Sequence, residues 1–131
     1  MSYSLSNQSQ SKLVGVHPDL SAVIELGITL TSQDFSVLEG TRTLERQEAL
    51  VARGSSTTMN SRHLVSPNGY CHAVDLGPYP LSWDWEYFYP IADAIKLAAQ
   101  QLGTLVEWGG DWTSFRDGPH FQLSWSTHDG E

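Results

Sequence analysis

Three short segments concentrate polar residues of the kinds that bind metals or transfer protons. They are Ser61–Leu64, His72–Leu76 and Asp117–Phe121, and each places a histidine or a carboxylate beside a short apolar stretch. A side chain beside a predicted strand can be held rigidly, which both metal binding and proton transfer require. The search for chemistry therefore starts in these three segments.

A metal site can be assembled from one residue of each segment. A catalytic zinc needs three protein ligands and one open position, and His63, Asp75 and His120 can supply two imidazoles and a carboxylate. This set leaves a net charge near +1 and lowers the pKa of bound water to about 7. The three candidate ligands are far apart in the sequence, so their spacing alone does not establish a metal site. The two histidines could be ordinary loop or strand residues, and the aspartate could be a turn residue.

Hydrolysis also needs a proton carrier and a cation for the charge that builds on the attacked carbonyl. Asp117 lies three residues before His120, and a chain reversal through Gly118-Pro119 could bring its carboxylate over the metal to carry the proton. An Asp-Gly pair is also common in ordinary turns. Arg42 follows the predicted strand Phe35–Glu39 and could supply the cation, or could simply pair with Glu39 or Glu45.

Four further residues carry expectations. Ser61 could bind a substrate carboxylate or cap a turn, and Asp111 could orient a ligand histidine or form a turn. His72 should face away from Asp75 on its strand, yet it is the one candidate for a fourth metal ligand. Cys71 could be a nucleophile, but a buried small hydrophobe is the commoner role. We expect the tryptophans to be mostly core residues, with one or two lining a groove.

Composition limits the class of protein. The 131 residues predict one domain, 1–131, that begins with a polar segment over residues 1–11. Seven basic against fifteen acidic residues give a net charge of −8, which argues against a nucleic-acid partner. The single cysteine excludes an intramolecular disulfide. We expect neither a signal peptide nor a membrane span.

The elements that must position these residues alternate between helix and strand. Periodicity and capping residues predict a helix from Pro18, a helix over Thr43–Arg53, and a loop over Ser55–Tyr70. A further helix covers Asp84–Leu102, or begins at Pro90. The predicted strands are Phe35–Glu39, Ala73–Leu76, Leu105–Trp108 and His120–Ser124. This order predicts an α+β fold, with helices packed on one face of a mainly antiparallel sheet.

The same three segments also resemble a known family. In order, Ser61–His63, Cys71–Asp75 and Asp117–His120 are similar to the pattern Ser-x-His, Gly-x-Ala-x-Asp, acid-x-x-His. That pattern belongs to zinc peptidases of the D-Ala-D-Ala carboxypeptidase/VanY-like superfamily, peptidase family M15. Within it the chain most resembles phage endolysins that are L-alanyl-D-glutamate endopeptidases. Phe35–Thr43 and Trp108–Trp112 add to the resemblance.

The resemblance implies a hedgehog/DD-peptidase-like fold that holds one zinc ion on His63, Asp75 and His120. It implies Asp117 as general acid/base and Arg42 near the substrate or oxyanion. The implied reaction is cleavage of the L-Ala–D-Glu bond in the stem peptide of bacterial peptidoglycan, by a monomer that a holin releases from the host cytoplasm. The gap between the first two ligands is longer than the family's, and we expect the extra loop to bulge at the rim of the site.

Three alternatives stay open at this point. The chain could be a D-Ala-D-Ala carboxypeptidase or dipeptidase, which would need a dedicated cation for a free carboxylate. It could be a wall-binding module that has lost catalysis. It could also hold a purely structural zinc, which would need four ligands.

Overall fold

Four α-helices and two 3₁₀ turns surround a four-stranded sheet in the described part of the computed structural model, residues 2–56 and 58–131. The helices are α1 (Asn7–Lys12), α2 (Pro18–Leu30), α3 (Leu44–Ala52) and α4 (Phe88–Leu102), with 3₁₀ turns at Trp85–Tyr87 and Gly109–Asp111. The strands are β1 (Phe35–Glu39), β2 (Ala73–Pro78), β3 (Val106–Trp108) and β4 (His120–Leu123). The sheet order is β1-β2-β4-β3, and every pair is antiparallel. The predicted α+β class is confirmed.

The core lies between the sheet and the helix pair α2 and α4. These two helices contact each other along their apolar stripes, and α4 also contacts β2 and β3. Burial of such stripes supplies most of the stability of short helices. The largest fully buried apolar side chains are Leu20, Ile24, Leu76, Ile91, Ile95, Phe121 and Leu123.

Proline and glycine set the ends of these helices. Pro18 opens α2, where the missing N–H costs no hydrogen bond. The predicted long helix divides at its start, because Trp85–Tyr87 form a separate 3₁₀ turn and α4 begins at Phe88 with Pro90 in its first turn. Gly103 ends α4 with a left-handed φ of 70°, as predicted.

One helix was missed in the polar N-terminal segment. The side chain of Ser6 caps α1 by accepting a hydrogen bond from Ser9 N–H at 3.0 Å. Ser9 is buried, and its hydroxyl oxygen accepts a hydrogen bond from Val37 N–H on β1 at 3.0 Å. This helix carries no apolar stripe, so its order comes from contacts with β1 that periodicity does not reveal.

The segment predicted as a loop over Ser55–Tyr70 contains neither helix nor strand in its described part, and Thr57 lies outside the described residues. Its second half does not bulge at the rim of the site as expected. Ser66 and Asn68 instead contact His72, and Asn68 N–H donates to the carbonyl of Gly130 at 2.9 Å. The extra residues therefore hold the C-terminal segment.

Among the described residues, none of the helices combines the length and apolar character that crossing a membrane requires.

Candidate metal centre

His63, Asp75 and His120 meet where β2 and β4 pair. Asp75 and His120 are direct partners in the antiparallel register, while His63 comes from the loop before β2. Nε2 of His63 lies 3.2 Å from Oδ1 of Asp75, and Nδ1 of His120 lies 3.4 Å from the same oxygen. The structure thus brings together the three predicted ligands, whose candidate ligand atoms lie within 4.8 Å of one another.

Backbone contacts fix the buried ring of His63. Its Nδ1 lies 2.8 Å from the carbonyl oxygen of Gly40, so Nδ1–H donates there and Nε2 is left with its lone pair. The backbone carbonyl of His63 accepts from Arg42 N–H at 2.8 Å. The hydroxyl of Ser61 accepts from His63 N–H at 3.2 Å, so Ser61 does cap this turn.

The ring of His120 is fixed by a neighbour two residues along the same strand. Nε2 of His120 lies 2.8 Å from Oε1 of Gln122, which makes Nε2–H the donor and leaves the Nδ1 lone pair towards Asp75. The ring of Trp112 packs against that of His120, with centroids 5.3 Å apart. Residues 120 and 122 were predicted to share a face, but sequence reasoning gave Gln122 no role.

This arrangement fits a metal ion. Nδ1–H of His63 and Nε2–H of His120 donate to protein oxygens, so the lone pairs of the other two ring nitrogens face the carboxylate of Asp75. A bound cation would relieve the repulsion among these three groups. Bond lengths of about 2.0–2.1 Å in a tetrahedral zinc site place ligand atoms roughly 3.3 Å apart. The distances of 3.2 and 3.4 Å to Asp75 match this spacing.

Charge and burial also prepare the ligands. Burial acts to raise the pKa of Asp75, but in the metal-free chain hydrogen bonds from His120 and His63, made when a ring proton faces the carboxylate, outweigh it and hold that pKa well below its usual range. A bound metal would take the place of those ring protons. Burial acts to lower the pKa of His120, and the contact and charge of Asp75 more than offset this, so its pKa rises. Asp75 is therefore an anion at neutral pH, as a metal ligand must be.

Arg42 lies beside the metal centre, but most of its contacts are with protein. Its guanidinium forms a two-point ion pair with Glu39, at 2.7 and 3.1 Å, and Nη1 donates to Gln47 Oε1 at 2.7 Å. Nη2 lies 3.8 Å from Oδ2 of Asp75. The predicted pairing with Glu39 is therefore present together with the predicted nearness to the site.

Asp117 is half-buried at the turn that leads into β4. Burial and the charge of Asp75 raise its pKa above the ordinary value of a carboxyl. The turn is anchored by Trp108, whose Nε1–H donates to the carbonyl of Gly118 at 2.7 Å. A Cβ added to Gly109 would lie 2.4 Å from the carbonyl oxygen of Asp117, so only glycine fits there.

A cavity of about 670 Å³ lies over the centre. It is lined by all three candidate ligands together with Asp117, Arg42 and Ser61, and by the aromatic residues Trp112, Phe115 and Trp125. The prediction that the tryptophans are mostly core residues is wrong. Of the five, all within the described residues, Trp108 alone is buried.

Three other expectations have clear structural outcomes. Asp111 does not orient a ligand histidine, because its exposed carboxylate pairs with Lys96 Nζ at 2.7 Å. His72 is buried and its nitrogens contact Ser66 and Asn68, so it is not a fourth ligand. Cys71 is fully buried, and burial raises its thiol pKa, which does not suit a nucleophile.

The fold and the centre have the form of a metal-dependent hydrolase, and comparisons with known proteins identify the family. The family model described as Phage L-alanyl-D-glutamate peptidase matches residues 1–129. The chain belongs to this family of peptidases, and the family resemblance seen in the sequence is confirmed.

Individual relatives agree with this assignment. The L-alanyl-D-glutamate peptidase of Escherichia phage T5 is 28% identical over 137 residues, which cover 99% of this chain and 96% of that one. The peptidase of the same name from Listeria phage A118 is 37% identical over 90 residues, 68% of this chain and 30% of that one. The crystal structure of the Serratia marcescens L-Ala D-Glu endopeptidase ChiX is similar with a TM-score of 0.85 and 44% identity. It covers 93% of this chain and 90% of that one.

Proposed function

We propose that this chain is a zinc-dependent endopeptidase that cleaves the L-Ala–D-Glu bond in the stem peptide of bacterial peptidoglycan. Membership of the family and the printed activities of the phage and Serratia relatives support the substrate. The observation that carries the proposal is the convergence of His63, Asp75 and His120 at distances of 3.2 and 3.4 Å, beneath a cavity that also contains Asp117.

Zinc is the metal that this donor set favours. Two neutral imidazoles and one carboxylate are a common catalytic zinc set, and three protein ligands leave a position open. When bound, zinc supplies Lewis acidity for a carbonyl and lowers the pKa of water to about 7. The two histidine tautomers, set by Gly40 and Gln122, keep the ligand lone pairs directed at one point.

Asp117 is the proposed general acid/base. A proton carrier works best when its pKa lies near the working pH, and the burial of Asp117 moves its pKa upward from that of a free carboxyl. In this role the carboxylate takes a proton from the attacking water and passes it to the leaving nitrogen. The Trp108 and Gly109 contacts hold the backbone of this turn in place for both transfers.

Arg42 and Ser61 are the proposed polar contacts to substrate. Arg42 places a fixed positive charge in the cavity, where it stabilises the oxyanion that forms on the attacked carbonyl. Its ion pair with Glu39 keeps the guanidinium in one orientation. Ser61 lines the same cavity, and its hydroxyl can donate to a substrate carboxylate while accepting from His63 N–H.

The setting of this activity follows from its substrate. We place the chain in the host cytoplasm until a holin lets it reach the wall, where it acts as a monomer on peptidoglycan. Neither nucleic acid nor stable membrane insertion forms part of this function. The net charge of −8 disfavours binding to nucleic acid.

Digestion of purified peptidoglycan tests the proposed bond directly. Mass spectrometry of the products should show new C-terminal L-Ala and new N-terminal D-Glu. Release of D-Ala instead would place the chain among the carboxypeptidases or dipeptidases. Binding to the wall without any new termini, by folded and zinc-loaded protein, would make it a binding module.

A further inference from the structure

A second group of metal-binding side chains lies outside the proposed catalytic site. It joins the start of α2 to the C-terminal segment and consists of His17, Asp19 and His128. Nε2 of His128 lies 2.8 Å from Oδ2 of Asp19, and Nδ1 of His17 lies 4.0 Å from the same oxygen. We propose that these three residues form a second binding site for a divalent transition metal such as Zn²⁺.

The chemistry of the donors selects this kind of cation. Two imidazoles and one carboxylate suit zinc, nickel or copper, whereas calcium and magnesium prefer oxygen ligands. Each residue offers one ligand atom, and these atoms lie within 4.8 Å of one another. Both histidines are partly buried while Asp19 is exposed, so water can complete the coordination shell.

Neighbouring contacts orient both rings. Thr127 Oγ1 lies 2.9 Å from Nδ1 of His128, which leaves Nε2 of that ring to face Asp19. The ring of His17 meets the ring of His128 edge-on, with centroids 5.0 Å apart, and is also edge-on to Tyr70. Nδ1 of His17 accepts a hydrogen bond from Asp19 N–H at 3.1 Å as the N-cap of α2, and a metal bound at that nitrogen would take the place of this hydrogen bond.

His72 stands behind this site without joining it. Its ring centroid is 5.3 Å from that of His17, but its two nitrogens contact Ser66 and Asn68. The donor set therefore stays at three protein ligands.

The C-terminal segment is held in position independently of any metal. The guanidinium of Arg62 donates to the carbonyl oxygens of Leu123 and His128 and stacks on the ring of Trp125, 3.7 Å from its centroid. Arg62 adds positive charge to this region, and the nearby carboxylates of Glu107 and Asp129 stabilise that charge. The contacts of Arg62 thus already hold His128 near Asp19. Metal binding would need little further ordering of the C-terminal segment.

A metal at this position would join the two ends of the domain. Residues 17, 19 and 128 come together only in the folded chain, so a metal bound there stabilises the folded state by an amount that grows with the logarithm of the metal concentration over the Kd. At a hundredfold excess of zinc over the Kd, the Tm should rise by roughly 5–10 °C. The inference does not rest on the proposed peptidase activity, because none of its ligands lines the catalytic cavity.

Zinc stoichiometry of the full chain tests the proposal. Chelator-stripped wild-type protein is loaded with zinc, and the ions bound per chain are counted by native mass spectrometry. His17→Asn removes one imidazole but keeps a good helix N-cap, and His128→Gln removes the other. Asp129→Asn serves as the matched control, since it changes a nearby carboxylate that is not a ligand.

We expect two zinc ions in the wild type and in Asp129→Asn, and one in His17→Asn and in His128→Gln, with peptidoglycan cleavage retained in all four. Circular dichroism establishes that each variant is folded before the ions are counted. A single zinc in the saturated wild type that is still bound in both histidine variants would overturn the proposal. So would a second zinc that persists in both histidine variants.

Discussion

Asp75 and His120 are direct partners in the antiparallel register of β2 and β4, and Oδ1 of Asp75 lies 3.4 Å from Nδ1 of His120. Two of the three proposed zinc ligands are thus set by a single strand pairing rather than by a flexible loop. A slip of one residue in that register would turn one of the two side chains to the opposite face. The Asp75 and His120 part of the proposed metal centre therefore lies on paired strands in the middle of the sheet.

Replacing the shared carboxylate should abolish metal binding at this centre. Asp75→Asn removes the anion that both histidines contact, and we expect zinc affinity to fall by at least ~100-fold. Isothermal titration calorimetry of the metal-free protein measures this in a His17→Asn background that removes the second proposed site, with the exposed Asp93→Asn on α4 as control. Wild-type zinc affinity in Asp75→Asn would rule out His63, Asp75 and His120 as the ligand set.

Gln122 should act through the ring of His120. Gln122→Ala removes the acceptor at 2.8 Å that fixes the tautomer, and we expect zinc to bind 10–100-fold more weakly, about the range found for such outer contacts. The same titration measures the loss, and the exposed Gln101→Ala is the matched control. An unchanged zinc Kd in Gln122→Ala would show that this hydrogen bond has no part in metal binding.

The turn that carries Asp117 should depend on a glycine that touches neither metal nor substrate. In Gly109→Ala the new Cβ would meet the Asp117 carbonyl at 2.4 Å and displace the carboxylate. A shift of about 1 Å in a catalytic group costs on the order of 100-fold in rate, so kcat should fall by 10–100-fold, roughly, with zinc still bound. Gly118→Ala is the control, since its Cβ would make only ordinary contacts. Equal kcat values for the two variants would contradict this role of Gly109.

His72 should make the folded chain sensitive to acid. Burial, together with the charges of Arg62 and the neighbouring histidines, lowers its pKa from 6.5 to about 4. Between these pH values the unfolded chain binds a proton that the folded chain does not, so the stability contribution is complete above pH 6.5 and is lost as the pH falls towards 4. The loss is up to about 3 kcal/mol.

Urea unfolding in the presence of chelator, at about pH 7 and about pH 5, measures this effect without interference from zinc. His72→Gln keeps a side chain that can bond Ser66 and Asn68 but does not titrate, so its stability should change less between the two pH values. A wild type and a variant with the same pH dependence would exclude His72 as the source.

Much of the centre could be predicted because its residues lie next to strands with clear apolar patterns. Asp75 lies within such a strand and His120 begins one, and the order of the motifs matched a known family. The hydrogen bonds of His63 to Gly40 and of His120 to Gln122 were not predicted, because they depend on the orientation of each imidazole ring. Such a choice follows from three-dimensional packing and leaves no signal in residue type or spacing.

Two further outcomes have the same physical origin. The guanidinium of Arg42 contacts both Glu39 and Gln47 and also lies near Asp75. Sequence alone could not show that one side chain makes all of these contacts. The tryptophans were expected to be mostly core residues, yet Trp83 and Trp125 are exposed. Hydrophobicity predicts average burial, whereas a binding cavity keeps aromatic side chains at the surface.

The dependence of peptidoglycan cleavage on bound zinc tests the central claim most directly. Protein stripped with a chelator, with its metal content measured, is titrated with zinc while the release of new N-terminal D-Glu is followed by mass spectrometry. We predict no release from the metal-free chain, and a rate that rises with bound zinc and reaches a plateau. Wild-type release from protein shown to be metal-free would contradict the account, because His63, Asp75 and His120 would then have no metal-binding part in the reaction.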